Sequence, residues 1–423
     1  MNITDSNMKL STTDLTTSLK DYPSSSSELF VGNHPLSHLE KLVSNTPFYV
    51  YDRQLIINRV TQLTNTLPKE ISLHYAIKAN PFPSLVQLMS TQVSGFDVAS
   101  RKEMLLAIQT GMPADKISFA GPGKTAEDIE AAIIAGVTLH VESTGEITKV
   151  ELAAGQLSLK ANIAIRVNPK FELKSSGMKM SGGAKPFGID EEQVPQILKE
   201  LNLTKINLRG FHIFAGSQNL NAEAILSAQQ QTFMLAEELV ALSSKITKGK
   251  IDYLNIGGGF GVPYFANEKS LDVTAIANNL ESLLKKHETL VDGLELILEL
   301  GRYLVAEAGI YVCKVVDKKV SRGTNYLVCD GGLHHHLANS GNFGQVIRKN
   351  YPVVIGNKLK GDVQELVNIV GPLCTPLDIL ADKIMLPKAS MGDYVVVFQS
   401  GAYGATASPK DFLSQPQVSE LLI

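Results

Sequence analysis

From residue 48 to about 302 the chain alternates short β-type apolar runs with longer stretches of helical period. The apolar runs predict strands over Leu73–Lys78, Gly95–Ala99, Ile117–Gly121, Leu139–Ser143, Asn162–Asn168, Leu208–Phe214, Tyr253–Gly257 and Leu294–Leu300. Between them, helices are predicted over Pro83–Ser90, Arg101–Thr110, Ala126–Gly136 and Ala222–Leu242. Such a rhythm makes a parallel sheet covered by helices. An open doubly wound sheet alternates in the same way, but here polar residues fall at the ends of nearly all eight strands, as they do around one mouth of a closed barrel. After Arg302 the pattern changes to β-rich pieces with few helical stretches, including Tyr311–Val320, Tyr326–Cys329, Gln364–Val370 and Tyr394–Gln399. The expected fold is therefore α/β, an N-terminal (β/α)8 TIM-type barrel followed by a C-terminal all-β domain. The expected divisions are a mobile Ser/Thr/Asn-rich tail over 1–27, a segment over 28–47 joining the β domain, the barrel over 48–302 and the β domain over 303–423. Pro47–Tyr51 is expected to add a strand to that β domain.

Composition narrows the partners. The 423 residues carry 39 Lys and Arg against 42 Asp and Glu, a formal net charge of −3, with no long basic block. Nucleic acid and anionic membrane surfaces are therefore not expected, and a small molecule is the default partner. Apolar runs are broken well short of the ~20 residues of a membrane span, and the N-terminal tail lacks the pattern of a secretory signal, so a cytoplasmic protein is expected. Three cysteines, Cys313, Cys329 and Cys374, form no CxxC spacing and speak against both a disulfide framework and structural zinc. The triplet His334–His336 is no metal motif either, because consecutive histidines point in different directions.

The chemistry lies at the strand ends. Lys78 in Tyr75-Ala76-Ile77-Lys78-Ala79-Asn80-Pro81 places one ammonium in apolar surroundings just before a turn. It is either a solvated strand terminus or a Schiff-base former, since desolvation favours the free amine. Asn255-Ile256-Gly257-Gly258-Gly259-Phe260-Gly261 follows a strand and is either a flexible turn or an anion cradle of backbone N–H groups. It lacks the βαβ context of a dinucleotide fingerprint. Leu298-Glu299-Leu300-Gly301-Arg302 puts a carboxylate and a guanidinium at the end of the eighth strand, and His212 sits in an apolar strand.

Taken in order, these segments resemble the pyridoxal-phosphate decarboxylases of the diaminopimelate and ornithine decarboxylase family, of fold type III. The resemblance starts at Tyr75–Pro81, which is similar to the segment carrying the cofactor lysine, and runs to Tyr403 in Ser400-Gly401-Ala402-Tyr403-Gly404. It implies pyridoxal 5'-phosphate held as a Schiff base on Lys78, decarboxylation of an α-amino acid through a quinonoid intermediate, and a head-to-tail homodimer with shared active sites. It implies further that Glu299 pairs with the pyridine nitrogen, that His212 stacks on the ring, and that Asp97 and Arg166 stand near the ring. Gly257, Gly258, Gly259, Ser217 and Tyr403 would meet the phosphate. The family has its serine three residues after the histidine, whereas Ser217 lies two further on. Ser181–Gly188 resembles the family's loop ending in Lys-Phe-Gly, with an inserted proline, and is expected to help cover the site. Gly371-Pro372-Leu373-Cys374 matches the family's Gly-Pro-x-Cys segment, which makes Cys374 the expected proton donor, reaching the partner's site. Arg302, Thr375, Asp378 and Tyr403 are the expected substrate contacts.

The departures concern the far end of the substrate. Diaminopimelate decarboxylases commonly follow the cysteine with Glu-Ser, where this chain has Thr375-Pro376, and they carry an arginine element that Asp330–Gly344 lacks. An unpaired zwitterionic end buried in a pocket would cost on the order of several kcal/mol. The expected substrate is therefore not free meso-diaminopimelate. The pattern resembles an offshoot of the family tied to specialised biosynthetic clusters, some of whose members act on an aminoacyl group tethered to a carrier protein. The alternatives are a true diaminopimelate decarboxylase of lysine biosynthesis and a racemase-like enzyme, which would pair arginine rather than Glu299 with the pyridine nitrogen.

Overall fold

The computed structural model describes residues 22, 27–175, 177–265, 267–343, 345 and 348–423. The tail expected over 1–27 lies outside the described residues except for 22 and 27. The chain forms two compact units, one of residues 57–262 and 269–304 and one of residues 1–56, 263–268 and 305–423.

The first unit is a parallel barrel of eight strands: β1 (Ile71–Ala76), β2 (Gly95–Val98), β3 (Ile117–Phe119), β4 (Thr138–Val141), β5 (Ala161–Asn168), β6 (Ile206–Ile213), β7 (Tyr253–Gly258) and β8 (Glu295–Leu300). Each pairs in parallel with the next, and β8 closes the ring on β1 through Glu299 opposite His74 and Leu300 opposite Tyr75. The strands are buried on both faces, as a helix-covered parallel sheet requires. Inside the ring, Ala164, Tyr253 and Ile297 from β5, β7 and β8 pack together.

Several strands stop one or two residues before the apolar run does, and three of them are followed by a helix-capping side chain. Ser143 leaves β4 to cap the helix Thr144–Leu157, accepting from the Glu146 N–H. Ser100 caps Arg101–Gln109 in the same way, and Thr125 with Asp128 forms a capping box for Ala126–Ala135. Lys78 is likewise not part of β1, which ends at Ala76. It stands in the 3-10 turn Ile77–Ala79, closed by Asn80 N–H donating to the Ile77 carbonyl. The helix predicted to end at Leu242 runs on to Thr247, since no breaker intervenes.

The second unit is mostly β. Its long central strand β9 (Gly309–Ser321) pairs antiparallel with Phe48–Tyr51, with β10 (Thr324–Cys329) and with β14 (Tyr394–Val397). Strand β11 (Val353–Ile355) borders β14, while β12 (Gln364–Val370) joins β10 to β13 (Ile379–Pro387). The C-terminal β15 (Ser419–Leu422) lies parallel to Phe48–Tyr51. The sequence pattern missed β11, β13 and β15. Among the described residues the unit also holds the α-helix Leu36–Val43, whose Leu36 and Leu39 pack on Phe48, Val50, Ile310, Val312, Val396 and Phe398. Each such side chain is worth roughly 1.5–3 kcal/mol once removed from water.

In β1 of the barrel, His74 is 1 % exposed and neither ring nitrogen has a hydrogen-bond partner among the described residues. Burial, aided by the Lys116 and Arg209 cations, pushes its pKa down to about 3. The unfolded chain therefore takes up a proton here that the folded one refuses, and stability present above about pH 6.5 is lost progressively as pH falls toward 3. His74→Phe is expected to flatten the fall in Tm between pH 7 and 4, measured by calorimetry. An unchanged slope would contradict this.

Candidate active site

Lys78, Asp97, His140, Arg166, His212, Asn255 and Glu299 lie at or just beyond the C-terminal ends of seven barrel strands, the face on which TIM barrels build their sites. The centre is the seam between β8 and β1. The Lys78 Nζ lies 3.5 Å from Glu299 Oε1 and 3.9 Å from Asp97 Oδ2. The lysine side chain is 37 % exposed while the two carboxylates are only 2 and 1 % exposed, so the amine is reachable from solvent and its partners are not. The apolar surroundings expected around this ammonium are instead a pair of buried acids, with the Phe214 ring 5.6 Å from Nζ. The turn can sit this close because residue 301 is glycine: a Cβ there would stand 2.8 Å from Ala79 Cβ and 3.2 Å from the Ala76 carbonyl.

Burial and the neighbouring Glu299 carboxylate hold Asp97 well above the usual carboxylate range, against the pull of Lys78. Its Oδ1 accepts from Ser118 on β3 at 3.1 Å. On the other flank, His212 Nε2 of β6 lies 3.5 Å from Glu299 Oε2. Its ring packs 4.3 Å from that of His140 on β4, whose Nε2 is 2.8 Å from the Tyr253 hydroxyl. Burial, then His140 and the Arg166, Lys78 and Lys124 cations, hold His212 well below its ordinary pKa, so it is neutral.

Arg166 on β5 donates through one terminal nitrogen to both oxygens of Glu142, at 3.0 and 3.1 Å. Glu142 also accepts the backbone N–H groups of Gly121 and Gly188 at 2.6 and 3.1 Å. Phe187 and Phe214 flank the guanidinium at 5.2 and 6.0 Å.

The glycine turn ends β7. A Cβ on Gly258 would meet the Glu299 carbonyl at 2.0 Å and one on Gly259 the Gly216 carbonyl at 2.2 Å. Only glycine lets this turn lie so tightly against β8 and against the Gly216–Ser217 segment. Gly257 N–H donates to Asn255 Oδ1 at 2.8 Å, and Asn255 Nδ2 reaches Glu299 at 3.4 Å, which ties the turn to the lysine cluster. Arg302 opens the short helix that follows β8 and Gly301.

Thus Lys78, Asp97, His212 and Glu299 come together within 4 Å of one another in sequence of contact, with Gly257, Gly258 and Arg166 one step away. Cys374, Thr375, Asp378 and Tyr403 belong to the second unit. There Cys374 is exposed, while the Thr375 hydroxyl accepts from Leu377 N–H at 3.3 Å. Tyr403 has φ 53° and its ring lies 6.3 Å from that of Phe343. Asp378 requires a correction. At 2 % exposure its oxygens accept from the Leu333 and Leu373 N–H groups at 2.7 and 2.8 Å, which makes it a staple between two loops rather than a group offered to substrate. Sequence reasoning missed Ser118, His140, Glu142 and Asn255. All four sit at or near a strand C-terminus, and that position was the available signal.

These groups fit pyridoxal phosphate. An aldehyde needs a primary amine, a pyridine nitrogen a buried carboxylate, and a phosphate a tight glycine turn, and Lys78, Glu299 and Gly257–Gly259 supply that set within one strand-end cluster. His212 adds a buried neutral ring whose nitrogens make no hydrogen bond among the described residues. Residues 53–306 match the family described as pyridoxal-dependent decarboxylase, pyridoxal binding domain. The chain belongs to this family. It is a pyridoxal-phosphate-dependent carboxy-lyase that decarboxylates an amino-acid substrate.

Among its relatives is the L-glutamyl-[BtrI acyl-carrier protein] decarboxylase of Niallia circulans, 36 % identical over 89 % of this chain and 88 % of the relative. Another is the 2-[(L-alanin-3-ylcarbamoyl)methyl]-2-hydroxybutanedioate decarboxylase of Staphylococcus aureus, 30 % identical over 92 and 94 %. Among solved structures, the diaminopimelate decarboxylase of Helicobacter pylori complexed with L-lysine superimposes with a TM-score of 0.80 at 28 % identity, covering 91 % of this chain and 94 % of that one. Among the described residues no helix is long and apolar enough to cross a membrane, and no group of three or more His, Cys, Asp or Glu is placed to hold a metal ion.

Glu142 is the buried carboxylate on which the Arg166 guanidinium depends. Glu142→Ala leaves that cation unpaired and should destabilise the fold by about 3–5 kcal/mol in denaturant unfolding. A loss below about 1 kcal/mol would show that Arg166 finds another partner.

Proposed function

We propose that the enzyme decarboxylates an α-amino acid whose side chain is extended by an acyl linkage, with an aminoacyl group carried on a carrier protein as the favoured case. The observation that carries this reading is the absence of free charge in the segment that follows Cys374. Thr375 and Pro376 are uncharged, and Asp378 is engaged by two backbone N–H groups. Arg348, the arginine beyond Asp330–Gly344, is occupied as well, donating to the carbonyls of Ser340 and Ile379 and to Asn350. A free amino and carboxylate pair at the far end of diaminopimelate would find Asp378 and Arg348 already committed to hydrogen bonds within the chain. The two relatives named for joined substrates support the same conclusion, one an L-glutamyl group on an acyl-carrier protein and one an alanine carrying a carbamoyl link.

In this reading Lys78 is the amine that holds the cofactor and later releases the product. Glu299 holds the proton on the pyridine nitrogen, kept in place by Asn255, and His212, backed by His140, supports the ring. Arg166, Asp97 and Ser217 would complete the cofactor site, and Gly257, Gly258, Gly259 and Tyr403 are the residues assigned to its phosphate. When bound, the cofactor supplies an electron sink for the pair left by departing carbon dioxide. Arg302 and Thr375 receive the substrate. Cys374 returns a proton to the carbon that lost its carboxylate; its thiol is exposed on its own unit, as a group serving a partner's site must be. The enzyme is then a cytoplasmic homodimer with two shared sites.

Carbon dioxide release should be at least tenfold faster with an L-glutamyl thioester of an acyl-carrier protein than with free glutamate, ornithine, lysine or meso-diaminopimelate. Rapid turnover of free meso-diaminopimelate would overturn the substrate reading. Lys78→Ala and Cys374→Ala should each be nearly inactive, yet a refolded equimolar mixture should recover about a quarter of the wild-type rate. Half the dimers are then mixed, and one of the two sites in each is intact. No recovery on mixing would contradict shared sites.

A further inference from the structure

We propose that the loop leaving β5 is the docking surface for the carrier protein, which presents an acidic face to Lys174, Lys179 and Lys185. This rests on the carrier-linked reading above. Over 171–188 the loop holds those three lysines against a single acid, Glu172, in a chain whose net charge is −3. Lys179 lies 2.8 Å from Glu172 with its side chain 51 % exposed, and Lys174 and Lys185 form no salt bridge among the described residues. The patch thus keeps a surplus of positive charge. Met178 stands 46 % exposed between them, an adaptable apolar contact of the kind that suits a protein partner.

The described backbone of the loop is held at several points, while Lys174, Met178 and Lys179 are exposed. Asn168, at the end of β5, accepts from Gly182 N–H and donates to the Gly183 carbonyl, at 3.2 and 3.0 Å. Met178 and Lys179 pair as a short strand with Ser217 and Gly216, and the Ser181 hydroxyl donates to the Phe171 and Ala215 carbonyls at 2.9 and 3.3 Å. Asn219, fully buried, donates to the Lys174 carbonyl at 2.9 Å and exchanges backbone bonds with Gly259 and Gly261. The backbone at Lys174 is therefore pinned through Asn219 to the glycine turn of the candidate cofactor site. A carrier seated on these lysines would stand beside the strand ends that bear Arg166 and His212. Such a patch acts mainly by speeding encounter, so its effect is steeply dependent on salt.

The test compares two substrates that share one reacting group, the L-glutamyl thioesters of an acyl-carrier protein and of pantetheine, each joined through the side-chain carboxyl so that the α-carboxylate is free to leave. In the variant Lys174→Glu/Lys179→Glu, kcat/KM on the carrier-linked substrate should fall by at least about tenfold, within the ~10–10³ range of electrostatic steering. The pantetheine substrate should be turned over as in wild type, and the wild-type rate on the carrier-linked substrate should fall as salt rises. Equal losses on both substrates, or no loss on either, would overturn the docking surface while leaving the carrier-linked reading intact. Failure of wild type to act on either thioester while it decarboxylates a free amino acid would overturn both.

Discussion

Two carboxylates buried beside one ammonium set the terms for everything else in the barrel. Glu299 and Asp97 are almost fully shielded from water, and in such a place a charge persists only with a partner or several hydrogen bonds. Lys78 answers part of that demand, Asn255 answers more for Glu299, and Ser118 does so for Asp97. These partners come from three further strands or strand ends, so a requirement at one seam dictates what five of the eight strands present at the same mouth. The glycines follow from the same demand: residue 301 must be small for the Lys78 turn to close on β8, and residue 258 must be small for β7 to lie against the Glu299 backbone.

A second buried network runs beside the first. Lys124, 1 % exposed at its side chain, meets Glu146 at 2.6 Å, and Glu146 also receives the Glu142 N–H at 2.8 Å. Glu142 then holds Arg166 and two loop amides. Charge is thus passed inward from a capped helix to a strand end, and the arginine is fixed before any ligand arrives. Preorganisation of this kind is what allows a site to stabilise charge without rearranging when it develops.

The barrel was legible because its evidence is periodic. Eight apolar runs, nearly all closed by a polar residue, announce both the strand count and the mouth, and the errors in the barrel strands were confined to their ends, by one or two residues. The β unit was harder to read. Strand β13 alternates irregularly, with Lys383 at positive φ and register shifts against β12, and β11 has only three residues. Within the site, Lys78, Glu299 and His212 stood out because each interrupts an apolar run. Glu142 and His140 interrupt one too, but they brace other side chains, which becomes visible only when distances are known. Asp378 misled for the opposite reason. A carboxylate next to a functional segment suggests a ligand, whereas its task is to hold two loops together.

On the proposed reading the amine between Glu299 and Asp97 is the one that carries the cofactor. Borohydride reduction of the cofactor-loaded enzyme, followed by proteolysis and mass mapping, should find one phosphopyridoxyl group per chain, on Lys78, and none in Lys78→Ala. A stoichiometric label on any other lysine would contradict it.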